Sequence, residues 1–366
     1  MKNNLLVCCT DAGGAANISL VASKLINNNN FGVILYCSSF TYNYFSFCSA
    51  LTKKEKITTL KDAESFIDKY GVNTILCGTT RSRESAENYF IKAANNKNIL
   101  SVAYVDEWYN YHKRFEDNNG SLSFLPQRIA LIDKRALDGA IKDNIPKEKC
   151  FITGSPTLNH LWEKRLTYHK NPPELPDKLE NISNKFVVTF LSETHLIDFG
   201  SRVGRSGKYG SYLGFTEKTV LDDIMNIIVS RKLECILVEK LHPADKRKSG
   251  KKQLNNKIDY IRVQNLDLHS LIWHSDIIIG MTSIALLESS LLNKNVVSYQ
   301  PNLIAENYCA AYKVGLIPLI KDPLDLEEWI IERFHHKTEN NKPTLEKHFD
   351  FISQSDPVDN IINLLN

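Results

Sequence analysis

The sequence lacks most of the features that mark specialised chemistry. Its 8 cysteines are scattered, with no CxxC pair and no Cys/His cluster at ligand spacing, which excludes a zinc finger and a dense disulfide framework. Cys8 and Cys9 stand side by side in an apolar run, where strand alternation sends them to opposite faces. The expectation is reduced core thiols in a cytoplasmic protein. No uninterrupted apolar stretch approaches the ~18 residues that a spanning helix needs. Asp11 interrupts the run after Leu5-Leu6-Val7 before a secretion-signal core can form, so no such signal is predicted. Charge of one sign is lacking too. With 45 basic and 42 acidic residues the net charge is +3, which excludes a global field directed at nucleic acid, although a local basic cluster is allowed. There is no GxGxxG fingerprint, no short-period repeat, and no low-complexity segment beyond the polar run 27–30, read as a surface turn.

What is present is the composition of an ordinary globular protein, 43% apolar and 24% charged, and 366 residues suffice for two or three domains. Apolar, β-branched runs at 4–10, 32–37, 72–77, 100–105, 128–132 and 151–155 read as short buried strands. Helical spacing at 18–25, 62–70 and 82–97 separates them. A polar stretch with Pro172, Pro173 and Pro176 then breaks the pattern. A second series follows, with strands at 186–191, 234–238, 260–263, 276–279 and 295–299 and helices at 215–231, 266–274 and 284–292. Strand–helix alternation means parallel sheets covered on both faces. The expected architecture is α/β of the GT-B type, two Rossmann-like doubly wound domains facing a central cleft. The expected boundaries are 1–167, a linker 168–185, a second domain 186–338, and a helical tail 339–366 packing back on the first domain.

In open α/β sheets ligands bind at the carboxyl ends of strands, so the residues after each strand are the candidates. After the first strand, Gly13 and Gly14 let backbone approach a ligand, the helix beyond favours negative charge, and Asp11 projects at the strand end. The plainer reading of this turn is a glycine-rich connection with Asp11 as a helix cap. After the fourth strand come Asp106 and Glu107, then Trp108 and Tyr109. A carboxylate there serves as a general base, and the aromatic rings as a platform for a sugar.

In the second series a strand runs into Lys240, Leu241, His242 and Pro243; proline stops the strand and sets the imidazole beyond the sheet, where it meets a leaving phosphate. Thr282 and Ser283 precede a helix, where hydroxyls and amides converge on an anion. Glu288 lies within reach of a ribose, and Ser289 and Ser290 line the same pocket or sit at a helix crossing. Glu193 ends the first strand of this half, and the loop after it carries Arg202, Arg205 and Lys208 among glycines, either a lid over a bound anion or a surface insertion.

The order and placement of these motifs resembles bacterial GT-B transferases of the sialyltransferase-like and Kdo-transferring groups, which use CMP-activated nonulosonic or ulosonic acids. Asp106-Glu107 stands for their acidic motif, His242-Pro243 for their His-Pro motif, and the region from Thr282-Ser283 to Ser290 for their serine motif. Trp108 departs from the glycine of the acidic motif, so Asp106, Glu107 and Asp11 all stand as candidate bases. The segment 78–115 also looks like a class of surface-polysaccharide proteins.

The resemblance implies an inverting, metal-independent transfer of an acidic sugar from a CMP donor, with no cofactor beyond that donor. The expected acceptor is a surface or capsule glycan, free or lipid-linked. The resemblance implies a cytoplasmic enzyme, with peripheral contact at the inner face of a membrane left open. The alternatives are a CDP-glycerol-type phosphotransferase and a UDP-sugar GT-B transferase. A non-hydrolysing sugar 2-epimerase fits the same architecture without a counterpart for its acids and histidines. From another class comes a non-catalytic polysaccharide-assembly protein.

Overall fold

A computed structural model describes residues 3–27, 30–175, 179, 185–255, 258–336 and 352–366. Parts of the polar run 27–30, of the proline-rich stretch and of the expected tail lie outside these residues. The chain divides into two compact units, Met1–His160 with Phe349–Asn366, and Leu161–His348.

The first unit is built on six parallel strands: β1 (Asn3–Cys9), β2 (Phe31–Cys37), β3 (Thr74–Cys77), β4 (Leu100–Val105), β5 (Arg128–Leu131) and β6 (Cys150–Ile152), in the order β2-β1-β3-β4-β5-β6. Leu5, Leu6, Val7, Cys8 and Cys9 are fully buried, as expected of a central parallel strand covered on both faces. The winding reverses at β1, which has β2 on one side and β3 on the other. That reversal leaves a crevice at the carboxyl ends of the strands.

Helix Ala12–Ile26 starts well before its apolar periodicity does, because Asp11 caps it, its Oδ1 accepting from the Gly13 amide at 3.2 Å. Helix Leu60–Tyr70 opens on a capping box between Thr59 and Asp62 and ends at Gly71, in the left-handed region. The C-terminal helix Pro357–Asn363 belongs to this unit: Lys24 Nζ meets Asp356 and Asp359 at 3.1 and 2.7 Å, and Arg128 Nη1 donates to the Leu364 carbonyl at 2.6 Å.

The second unit has seven strands: β7 (Phe186–Leu191), β8 (Cys235–Lys240), β9 (Gly250–Asn255), β10 (Ile258–Val263), β11 (Ile277–Gly280), β12 (Asn295–Tyr299) and β13 (Leu319–Ile320), in the order β13-β12-β11-β7-β8-β10-β9. All pairs are parallel except β9 with β10. Its reversal lies at β7, between β11 and β8. Phe190, Ile224, Leu237, Ile279, Tyr299 and Trp329 share one apolar core.

Three features differ from expectation. The division falls at His160, not at 167, and Tyr168, at the start of the expected linker, is buried edge-on against Trp273 with ring centroids 5.4 Å apart. Strand β9 carries lysines and no apolar alternation, so no periodicity marks it; lysine is a common protection for an edge strand. The segment Tyr42–Leu51 carries short 3-10 turns broken by non-helical backbone at Phe45 and Cys48, so no helical periodicity marks it. Among the described residues no helix is long and apolar enough to cross a membrane.

Candidate functional site

In the first unit the carboxyl ends of β1, β3 and β4 frame a small polar pocket lined by Asp11, Thr79, Thr80, Arg81, Asp106, Glu107 and Arg114. Arg114 holds it together. Only 2% exposed, it reaches Thr79 Oγ1 at 2.8 Å and Asp106 Oδ1 at 3.4 Å, and pairs with Glu107 Oε2. It sits on the short helix Tyr111–Phe115, entered through Asn110 in the left-handed region, a conformation asparagine tolerates. Glu107 also accepts from the Tyr109 hydroxyl at 3.2 Å and lies 3.9 Å from Arg81.

Burial pushes the Asp106 carboxyl up to about 7; Arg114 opposes this, and the charges of Glu107 and Asp11 add to it. A carboxyl poised near neutrality can both take and give a proton. Beneath the pocket, the buried Glu87 takes the Thr10 amide at 2.5 Å and its hydroxyl at 2.8 Å, fixing the end of β1.

Three residues expected to contact a ligand in this unit have close internal neighbours. Gly13 is needed because a Cβ there would overlap Asp106 Oδ2, and at Gly14 an added Cβ would come within a tight 3.2 Å of the Gly78 Cα. The helix start that was expected to receive a phosphate is therefore crowded by Asp11 and Asp106 carboxylates. Trp108 is half-buried, and its indole N–H donates to Asp133 Oδ2 at 2.9 Å, at the cap of helix Lys134–Lys142. The ring of Tyr109 faces the Arg81 guanidinium at 6.0 Å.

In the second unit, Glu193 at the end of β7 lies across from the turn after β11. Its Oε1 accepts from the Thr282 amide at 2.7 Å and the Ser283 amide at 3.1 Å, and its Oε2 accepts from the Thr282 hydroxyl at 2.5 Å. His195 Nε2 stands 3.2 Å from the same carboxylate. Burial raises the Glu193 carboxyl, but the charge of His195 and the hydrogen bonds from His195 and Thr282 outweigh it and hold it at about 2. Burial pushes His195 down, and Glu193 pulls it up further. The amides expected to bind phosphate thus hold the chain's own carboxylate, and Glu193 is an anchor rather than an acceptor contact.

Glu193→Gln is therefore expected to cost about 2 kcal/mol of stability at neutral pH, since charge-assisted hydrogen bonds are replaced by weaker ones. A depressed carboxyl stabilises above its ordinary range and loses that contribution as pH falls toward 2. The gap between wild type and Glu193→Gln in urea unfolding should shrink steadily below pH 5; a gap independent of pH would refute the assignment.

The remaining expectations fall out as follows. His242 and Pro243 are exposed just beyond β8; His242 Nδ1 accepts from the Ala244 amide at 3.1 Å, and Gln264 Nε2 donates to the Pro243 carbonyl at 3.1 Å. Lys240 donates to the Leu241 carbonyl at 3.1 Å, and burial lowers its pKa. Glu288 pairs with His269 Nε2 at 3.1 Å. Ser289 and Ser290 are both buried, and the Ser289 hydroxyl donates one turn back to the Ala285 carbonyl at 2.7 Å. Arg202, Arg205 and Lys208 are exposed on a folded loop, where the Lys208 and Tyr209 amides donate to the Ile197 and Asp198 carbonyls at 3.0 and 2.7 Å.

Sequence reasoning did not foresee the buried Glu239, which meets Arg247 Nη1 at 2.8 Å and Arg262 Nε at 2.6 Å, with Arg247 Nη2 reaching Ser192 Oγ at 3.0 Å. The signal was an acid inside an apolar strand. Among the described residues no group of three or more His, Cys, Asp or Glu side chains could hold a metal ion.

No family model matches the sequence, and no curated protein matches it. Solved structures do. The UDP-GlcNAc 2-epimerase of Methanocaldococcus jannaschii, in complex with UDP-GlcNAc and UDP, aligns over 99% of both chains with a TM-score of 0.66 at 13% identity. The UDP-GlcNAc 2-epimerase of Neisseria meningitidis, bound to UDP-GlcNAc, aligns over 99% of both chains with a TM-score of 0.66 at 12% identity. MurG of Acinetobacter baumannii aligns over 99% of both chains with a TM-score of 0.58 at 8% identity. These matches overturn the likeness to CMP-sugar sialyltransferase-like and Kdo transferases, and with it the CMP-dependent transfer of an acidic sugar to a capsule or surface glycan. The motif order that carried the likeness is compatible with a different set of GT-B proteins. At these identities the likeness establishes architecture: the chain has two Rossmann-like α/β units with a GT-B-like fold.

Proposed function

We propose that this chain acts on a UDP-sugar by acid–base chemistry, and that the reaction is epimerisation at C2 of a UDP-GlcNAc-type substrate. The observation that carries the reading is the cluster of Asp106, Glu107 and Asp11 around Arg114, with Asp106 held at about 7. The fold shared with structures that hold UDP-GlcNAc supplies the substrate class.

Inverting a carbon that bears hydrogen requires a base to remove the proton and an acid to return one on the other face. Neighbouring carboxyls in unequal environments can divide those roles. The C2 hydrogen has no adjacent carbonyl to acidify it. Its loss is therefore coupled to departure of UDP from C1, the C–H electron pair forming the C1=C2 double bond, and UDP adds back to close the cycle. Asp106 serves as the base.

Incubation with UDP-GlcNAc in D2O tests this. The expected result is deuterium at C2 and formation of the C2 epimer, followed by NMR. Release of UDP only after an acceptor is added, with no deuterium incorporated, would replace epimerisation by sugar transfer. The internal carboxylates at both expected phosphate seats favour one other reading, a non-catalytic member of the fold; absence of any thermal shift with UDP or UDP-GlcNAc would support it.

A further inference from the structure

The segment after β2 carries Phe40, Tyr42, Tyr44, Phe45 and Phe47, followed by Lys53, Lys54 and Lys56. In the segment Tyr42–Leu51, 3-10 turns are broken by non-helical backbone at Phe45 and Cys48, and these two residues are the buried ones. The other rings stay outside: Phe40 is 51% exposed, Tyr42 40%, Tyr44 41% and Phe47 54%. Single exposed apolar residues are ordinary, but four large rings within eight residues form a patch of the kind that marks an interaction surface.

The patch is a fixed feature. Thr41 Oγ1 donates to the Cys9 carbonyl at 2.8 Å, and Ser38 Oγ to the Thr10 carbonyl at 3.3 Å. These bonds pin the segment to the end of β1, beside the turn that carries Asp11.

Its surroundings are cationic. Lys54 and Lys56 are exposed, and Lys53 Nζ stands 5.1 Å from the Tyr70 ring centroid. Glu55, the one acid between 40 and 56, is already held by Lys69 Nζ at 2.6 Å and by the Tyr70 hydroxyl. A second copy of the chain is a poor occupant. Stable dimers bury about 800 Å² and roughly 20–30 residues on each partner, and a two-fold contact centred here would bring the lysines of both copies together.

We propose that this face docks the first unit on an anionic bilayer. Phe40 and Phe47 enter the boundary between headgroups and acyl chains, the rings of Tyr42 and Tyr44 lie at headgroup level, and Lys54 and Lys56 meet lipid phosphates. The docking is independent of the reaction assigned above.

Co-sedimentation of the full chain with vesicles tests it. The protein pellets with vesicles of equal parts phosphatidylcholine and phosphatidylglycerol, and binding weakens with added salt and with pure phosphatidylcholine. Two variants, Phe40→Ser with Phe47→Ser and Lys54→Glu with Lys56→Glu, each lower the partition coefficient about tenfold. Both change exposed side chains, so their melting curves stay close to wild type, which separates lost docking from lost folding. A wild-type chain that stays in the supernatant with both vesicle types overturns the proposal. So does partitioning that both variants leave unchanged, or light scattering that shows a dimer which Phe40→Ser with Phe47→Ser dissolves.

Discussion

Asp106→Asn is expected to lower turnover of UDP-GlcNAc about a thousandfold while leaving the fold as stable as before. The amide keeps the shape of the carboxylate, so Arg114 and Thr79 stay in place, but it can no longer take a proton. The stability part follows from the sign of the shift. Because burial raises the folded-state carboxyl to about 7, its ionisation opposes folding. That burden is absent below the ordinary carboxylate range and grows as pH rises toward 7. Asn should therefore match or exceed the wild-type Tm at pH 8, and the two should converge near pH 4. In wild type the base is useful only when ionised, so turnover should fall on the acid side of about pH 7, tenfold per unit once well below it. Retained binding of UDP-GlcNAc, read from the thermal shift it produces, would separate lost chemistry from lost affinity. An Asp106→Asn protein with undiminished turnover would remove Asp106 from the mechanism and leave Glu107 or Asp11 as the base.

How far such residues could be found in advance depended on the physics that places them. The strands were legible because runs such as 100–105 and 186–191 are buried on both faces and so are apolar throughout. Reading the ends of those strands then located Asp11, Asp106, Glu107, Glu193 and Thr282 without any knowledge of the fold. What these side chains do there was not legible. Glu193 reaches Thr282 and Ser283 only because β7 lies beside β11, with β8, β9 and β10 on its other side, a neighbourhood that strand spacing along the chain does not announce. The same holds for Gly13, whose reason is Asp106, a residue from the far side of β3. Amides at strand-to-helix turns attract anions of any origin. The sequence pattern of a phosphate seat is therefore also the pattern of a seat for the chain's own carboxylate. Such motifs do not distinguish one nucleotide from another for a related reason: a histidine after a strand and hydroxyls before a helix suit any phosphate, and every nucleotide sugar carries one.

Arg114→Met should be the most damaging single change in the first unit, costing about 3–5 kcal/mol of unfolding free energy. Methionine fills much of the volume, and so the loss is electrostatic rather than a cavity. Arg114 is almost wholly buried and is the cation shared by Asp106 and Glu107. Without it, clustered carboxyls remain with water largely excluded, and their mutual repulsion raises the cost of ionising each one. Arg81, 42% exposed and 3.9 Å from Glu107, is too far out to replace it. The carboxyls left behind bind protons more tightly in the folded protein than in the unfolded chain. The penalty should therefore be modest near pH 5 and grow toward pH 8; it shrinks on acidification like the Glu193→Gln gap, but at higher pH and because a burden is relieved, whereas there a favourable charge is lost. Arg114→Lys keeps the charge but not the planar fork that spans Thr79, Asp106 and Glu107, and should recover only part of the loss. Adding Asp106→Asn to Arg114→Met removes one of the stranded charges. At pH 8 the Asn should raise the stability of Arg114→Met by more than it raises that of wild type, a non-additivity that contact within one charge network requires. Urea midpoints of the four proteins at pH 5 and pH 8 decide it: equal penalties at both pH values, or strictly additive effects, would mean that Arg114 supports the fold by packing and not by holding the acids.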